Sequence, residues 1–227
     1  MGYAFFDVDG TLISLKSMLS FQDFWYATAE NSARERALFE AEMGRLTRQG
    51  ASREEMNRRY YAHFAGRSVA AVDHAAERWF AHIDRSLPHL FHLPVVERLE
   101  RHRRDGLQPV FVSGSFPALL RPIGRRLGVK HILATDMEIE DEHYTGRIRN
   151  QTIGAGKVEA ITAFLAADGC SAAACAGYGD DISDLPMLSA VGAPAAVKGD
   201  PRLEMAARRH GWEVLPTHWT PARRALG

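Results

Sequence analysis

Asp7 and Asp9 stand one residue apart in Asp7-Val8-Asp9-Gly10-Thr11, directly after the apolar run Tyr3-Ala4-Phe5-Phe6. In an extended chain alternate side chains point the same way, so both carboxylates can reach one site. Like charges that close repel unless a cation lies between them, and a hard divalent ion, Mg²⁺ foremost, suits oxygen ligands. Asp-x-Asp-Gly also opens calcium loops, but the remaining ligands and closing glutamate of such a loop are missing here.

Three later groups can complete such a site. Ser113-Gly114-Ser115 follows the apolar run Val110-Phe111-Val112 and precedes Pro117, a turn that offers O–H and N–H donors to an anion. Lys157 follows Gly154-Ala155-Gly156, a cation on a glycine-rich lead-in. Gly179-Asp180-Asp181-Ile182-Ser183-Asp184 returns carboxylates to the same edge. Each alone is ordinary: Ser-Gly-Ser is a common turn, and a lysine after glycines is usually a solvated helix start. The information lies in their order.

The elements that must position them are short apolar strands alternating with helical patterns. Strands are expected over 3–8, 110–112, 172–178, 195–197 and 212–215, and helices over Pro94–Arg104, Pro117–Leu127, Lys157–Ala167 and Arg202–Arg209. That alternation implies a parallel sheet covered on both faces, with ligands at the carboxyl ends of its strands. Residues from about 15 to 86 break it with consecutive helices, for which Ser32-x-x-Glu35 and Ser52-x-x-Glu55 can act as capping boxes and Gly50 and Gly66 as stops. Core packing accounts for the aromatic spacing there. A hairpin is expected over Met137–Ile148.

Bulk properties exclude several classes. The 227 residues suit one full core plus a smaller insertion, and 46% hydrophobic with 25% charged residues is ordinary for a globular domain. Lysine plus arginine and aspartate plus glutamate each number 28, so no net charge draws the chain to nucleic acid or membrane. Cys170 and Cys175 read as two small core thiols of a reducing compartment. The uncharged run 106–120 is shorter than the ~20 apolar residues of a membrane helix. The start lacks the pattern of a signal peptide, and a cytoplasmic protein is expected. No metal-ligand spacing is visible among the ten histidines.

The ordered set resembles the haloacid dehalogenase superfamily, closest to its phosphoserine-phosphatase-like branch, subfamily IB. Asp7 to Leu12 match the first motif, Ser113-Gly114 the second, Lys157 the third, and Gly179-Asp180 with Asp184 the fourth. The resemblance implies an α/β fold: a Rossmann-like doubly wound parallel sheet over residues 1–14 and 88–227, with a small helical cap over 15–87 inserted after the first strand. It implies a Mg²⁺-dependent phosphatase acting on a small phosphorylated metabolite. Asp7 would attack phosphorus to give an aspartyl phosphate, and Asp9 would serve as acid and base and stand beside the metal without binding it directly. Asp7, the Val8 backbone carbonyl and Asp180 would hold Mg²⁺; Thr11, Ser113, Gly114 and Lys157 would bind phosphate; Asp184 and Asp181 would support them.

Asp9 sets the chain apart from dehalogenating members, and the related pumps need membrane helices. A phosphotransferase or mutase using the same aspartyl phosphate is the alternative enzyme, and a silent phospho-ligand-binding module the alternative outside catalysis. Two departures from the branch matter. Asp181 and Ser183 replace a glycine and an asparagine of the fourth motif, and Lys16 stands where a glutamate would meet a substrate amine. Lys16 is thus a specificity candidate that disfavours phosphoserine. Arg58 and Arg59 are further candidates for gripping substrate, although a solvated helix face suits them better.

Overall fold

The computed structural model describes residues 2–29 and 32–217. Eight strands occur among them: β1 (Gly2–Phe6), β2 (Leu107–Ser113), β3 (His131–Ala134), β4 (Asp136–Glu140), β5 (His143–Asn150), β6 (Ala176–Gly179), β7 (Ala193–Val197) and β8 (Glu213–Leu215). Six form a parallel sheet in the order β3-β2-β1-β6-β7-β8. β1 is apolar throughout because both its faces are covered: Ala4 and Phe6 join one hydrophobic cluster, Tyr3 and Phe5 another.

Helices α5 (Leu93–Arg104) and α6 (Pro117–Leu127) cover the first face through Val95, Leu99, Leu119 and Ile123. α7 (Ala155–Asp168), α8 (Leu185–Ser189) and α9 (Pro201–His210) cover the second through Ile161, Leu165, Leu188 and Leu203. The doubly wound α/β architecture is as expected. Two segments differ from expectation. Ala172–Ala174 is a 3-10 turn capped by the Ser171 hydroxyl, so the strand begins only at Ala176. The edge strand β3 has just four residues, too few to show a period, and was not anticipated.

Between β1 and α5 lie α1 (Ser17–Thr28), α2 (Ala33–Arg48), α3 (Arg53–Ala62) and α4 (Val69–Ser86). Ser52 caps α3 by accepting the Glu55 N–H at 3.2 Å. Ser32 does not cap α2: its own backbone is helical, and its hydroxyl donates to the Tyr26 carbonyl at 2.6 Å. Buried Phe21, Tyr60, Tyr61, Phe64 and Trp79 of this helical group share one cluster with Phe116 and Tyr144. The Phe64 and Phe116 rings meet edge to face at 5.3 Å. The insert therefore packs on the sheet domain without a core of its own.

β4 and β5 form the expected hairpin, turning at Asp141 and Glu142, both with positive φ. The hairpin binds the insert by backbone hydrogen bonds, Gly66 N–H to Tyr144 O at 2.8 Å and Val69 N–H to Glu142 O at 2.9 Å. Residues 136–150, distant in sequence, thus extend the helical group. Cys175 is buried and Cys170 half-buried, their Sγ atoms 3.9 Å apart. No helix among the described residues is long and apolar enough to cross a membrane.

Candidate active site

The carboxyl ends of β1, β2 and β6 deliver Asp7, Ser113 and Asp180 to one edge, and the first turn of α7 adds Lys157. They line a cavity of about 410 Å³ roofed by α1, α2 and α3. Lys157, almost fully buried, donates to Asp7 Oδ1 and to Asp184 Oδ1, each at 2.6 Å. Burial opposes its charge, but Asp184 and Asp7 outweigh that cost and raise its pKa. Asp184, expected in a supporting role, contacts Lys157 directly. Burial pushes the Asp184 carboxyl up, with Lys157 working against the shift.

Asp9 leaves the strand and meets the start of α1. Its Oδ2 accepts the Ser17 N–H at 3.0 Å and the Ser17 hydroxyl at 2.9 Å, while Oδ1 is buried without a partner in the protein. Burial first and the nearby Asp7 charge second push its pKa up to about 7. Near neutrality such a carboxyl is populated both with and without its proton, as an acid–base group requires.

Carboxylate oxygens of Asp7, Asp180 and Asp184 lie within 4.8 Å of one another. Burial and the Asp7 charge raise Asp180 to about 7. An all-oxygen set of mutually repelling acids fits a hard divalent cation. The backbone contribution differs from expectation. The Val8 carbonyl accepts the N–H groups of Thr11, Leu12 and Ile13, which turns it into the loop, whereas the Asp9 carbonyl faces the Lys16 ammonium at 2.5 Å. Lys16 also lies 3.5 Å from Asp180 Oδ2. Burial lowers its pKa, but Asp180, Asp7 and Asp9 together raise it further.

Thr11, expected on phosphate, is fully buried and turns its hydroxyl to Asp180 Oδ1 at 2.9 Å and Asp7 Oδ2 at 3.3 Å. It does not line the cavity. Gly10 has φ +95°, and a Cβ there would collide with the Asp180 carboxylate, so glycine is required between the first and fourth motifs. Asp181 caps the 3-10 turn Ile182–Asp184 by accepting the Ser183 N–H, and its Oδ2 binds Arg53 at 2.5 Å. The α3 arginine that reaches the site is Arg53; Arg59 pairs with Glu42, and Arg58 lies 3.4 Å from Gln151.

Further residues were not singled out in the sequence. Asn57 Nδ2, Tyr61 Oη and Thr135 Oγ1 all donate to the Gly114 carbonyl, at 3.0, 2.8 and 3.0 Å. The Ser115 N–H donates to Ser113 Oγ at 3.1 Å. Ser17 carried a signal, since a carboxylate upstream of a helix start is a favoured partner of its first N–H groups. Asn57, Tyr61 and Thr135 carried none.

Acids, an ammonium group and hydroxyl donors at the carboxyl edge of a doubly wound sheet, beneath a helical insert, define a class of anion-handling α/β proteins. Within that class the chain belongs to the haloacid dehalogenase-like hydrolase family, whose model matches residues 4–189. It is 33% identical over 218 residues to a probable phosphatase of Mycobacterium tuberculosis, covering 93% of this chain and 74% of that protein. A phosphoserine phosphatase of the same organism is 31% identical over 216 residues, covering 93% and 69%. A crystal structure of a Bordetella pertussis protein of unknown function superposes with a TM-score of 0.83 at 27% identity, covering 95% and 98%.

Proposed function

We propose that this chain is a phosphatase that transfers the phosphoryl group of a small phosphomonoester to Asp7 and then to water. The observation that carries the reading is the pair of differently prepared carboxyls. Asp7 Oδ1 accepts from Lys157 at 2.6 Å, and Asp9 presents a buried, unpartnered Oδ1 with its pKa pushed up to about 7. A nucleophile beside a proton donor is what ester cleavage needs. The names of the two mycobacterial relatives point the same way.

In this reading Asp7 Oδ attacks phosphorus while protonated Asp9 gives its proton to the departing alkoxide. Asp9, now a base, takes a proton from water as the oxygen attacks the aspartyl phosphate. Lys157, Ser113 and the Gly114 N–H hold the phosphoryl oxygens. Asp7, Asp180 and the Asp9 carbonyl would hold Mg²⁺, which supplies positive charge where negative charge gathers in the transition state. Lys16 lies at that cation position, so its bearing on specificity is exclusion of a substrate ammonium. Arg53 and Asp181 fasten α3 over the site.

The test is phosphate release from an aryl phosphate with Mg²⁺, with and without a chelator. Turnover should require metal, vanish in Asp7→Asn and need no added alcohol acceptor. A steady-state rate in Asp7→Asn that matches the wild type would refute the nucleophile. Strict dependence on a second alcohol would make the protein a phosphotransferase instead.

A further inference from the structure

The cavity above Asp7 has two halves of opposite character. Its floor carries the charged groups already described. Its roof and side wall carry Met18, Leu19, Met43, Met56 and Ile153. Of the polar residues that α3 adds to this wall, Asn57 is bonded to Gly114 O at 3.0 Å and Gln151 at 2.9 Å and the Tyr60 hydroxyl to Met18 O at 2.8 Å, while Arg53 reaches Asp181 at 2.5 Å with its side chain half exposed. Lys16, just before α1, lies on the floor against the Asp9 carbonyl and Asp180. Between these groups the upper half presents thioether and aliphatic carbon from five side chains. Leu19 is 51% exposed on the first of these helices, a large apolar side chain at the opening.

A polar group seated against Met18, Leu19, Met43, Met56 and Ile153 would leave its water partners and find no strong donor or acceptor in them. A hydrocarbon group loses nothing and removes apolar wall from water. Methionine side chains adapt to occupants of different shape, so the wall selects for apolarity more than outline. We propose that the preferred substrates are phosphomonoesters of apolar alcohols, read by Leu19, Met43 and Met56. This rests on the phosphatase reading above.

Straight-chain alkyl phosphates from ethyl to octyl test it, because their leaving groups have nearly equal basicity and differ chiefly in hydrocarbon. With Mg²⁺, kcat/KM should rise about fourfold per methylene over the first several carbons, the factor that burying a CH₂ provides. Phosphoserine and glycerol phosphate should fall below butyl phosphate. In Leu19→Gln and Met56→Gln the octyl-to-ethyl ratio should drop at least tenfold, a comparison made within each variant and so insensitive to its overall activity. A flat or falling series in an enzyme that turns over ethyl phosphate overturns the apolar-alcohol inference and leaves the phosphatase reading standing. The same holds for a ratio unchanged in both variants. No phosphate release from any ester, including an aryl phosphate, overturns both.

Discussion

The Asp9 carboxyl must give a proton in the first half of the proposed reaction and take one in the second. A substrate whose leaving group needs no proton separates the two. With nitrophenyl phosphate, Asp9→Asn should release a burst of about one equivalent of nitrophenol and then slow by roughly 10²–10⁴-fold, the usual worth of a positioned acid–base group. Rapid-quench kinetics reads this directly, and an unchanged steady state would remove Asp9 from the chemistry. Lys16 offers a second test. Its ammonium lies 2.5 Å from the Asp9 carbonyl and 3.5 Å from Asp180, where a divalent cation would compete with it. Lys16→Met should bind Mn²⁺ about tenfold more tightly by electron paramagnetic resonance, a modest share of the ~4 kcal/mol between unit charges at 4 Å in an effective dielectric of 20. Side-chain types and their order were enough to bring Asp7, Asp9, Ser113, Lys157, Asp180 and Asp184 to one cavity. The Val8 carbonyl and Thr11 hydroxyl turned elsewhere because peptide orientation after a strand exit is not encoded in side-chain spacing.

Helix α9 shows how an element supports the site from behind. Asp200 caps it by accepting the Arg202 N–H at 2.8 Å, and it also accepts the Ile182 N–H at 3.3 Å beside the Asp180–Asp184 loop. Its hydrogen bond to the Arg202 side chain, followed by those from backbone N–H groups, holds its pKa down to about 2. A carboxyl depressed by folding stabilises the native state above its unfolded pKa near 4 and loses that contribution as pH falls towards 2. Asp200→Ala should therefore cost about 1 kcal/mol at pH 7. Denaturant midpoints should show the gap between variant and wild type closing as pH falls from about 4 to 2. The Asp200-Pro201 pair was a readable helix start, although the periodic pattern alone placed the start at Arg202. Strand–helix alternation was legible for the sheet except its four-residue edge strand β3, because apolar runs buried on both faces stand out. Ala172–Ala174 misled because alanine is apolar in any backbone state, and Ser32 because its hydroxyl found the Tyr26 carbonyl first.

One hydrophobic cluster runs from the sheet through Phe116 into the helical insert, so the two parts should not melt separately. Trp79, on α4 and 1% exposed, stands within it. Trp79→Ala should cost ~3–5 kcal/mol and lower a single calorimetric transition rather than split it. No sequence pattern announced that continuity, because contacts such as Phe64 with Phe116 join residues far apart in the chain. The same long-range joining reaches the turn after β2 through the Gly114 carbonyl, which takes Asn57 and Tyr61 from α3 together with Thr135. Donors on a peptide oxygen withdraw electron density across the amide, so the Ser115 N–H of that peptide becomes a stronger donor towards Ser113 Oγ. With one lone pair of Ser113 Oγ engaged from that side, the hydroxyl proton is left to donate elsewhere. Seating of α3 is thereby coupled to the polarity of one peptide, and a lifted insert would loosen the hold of that peptide on Ser113 Oγ.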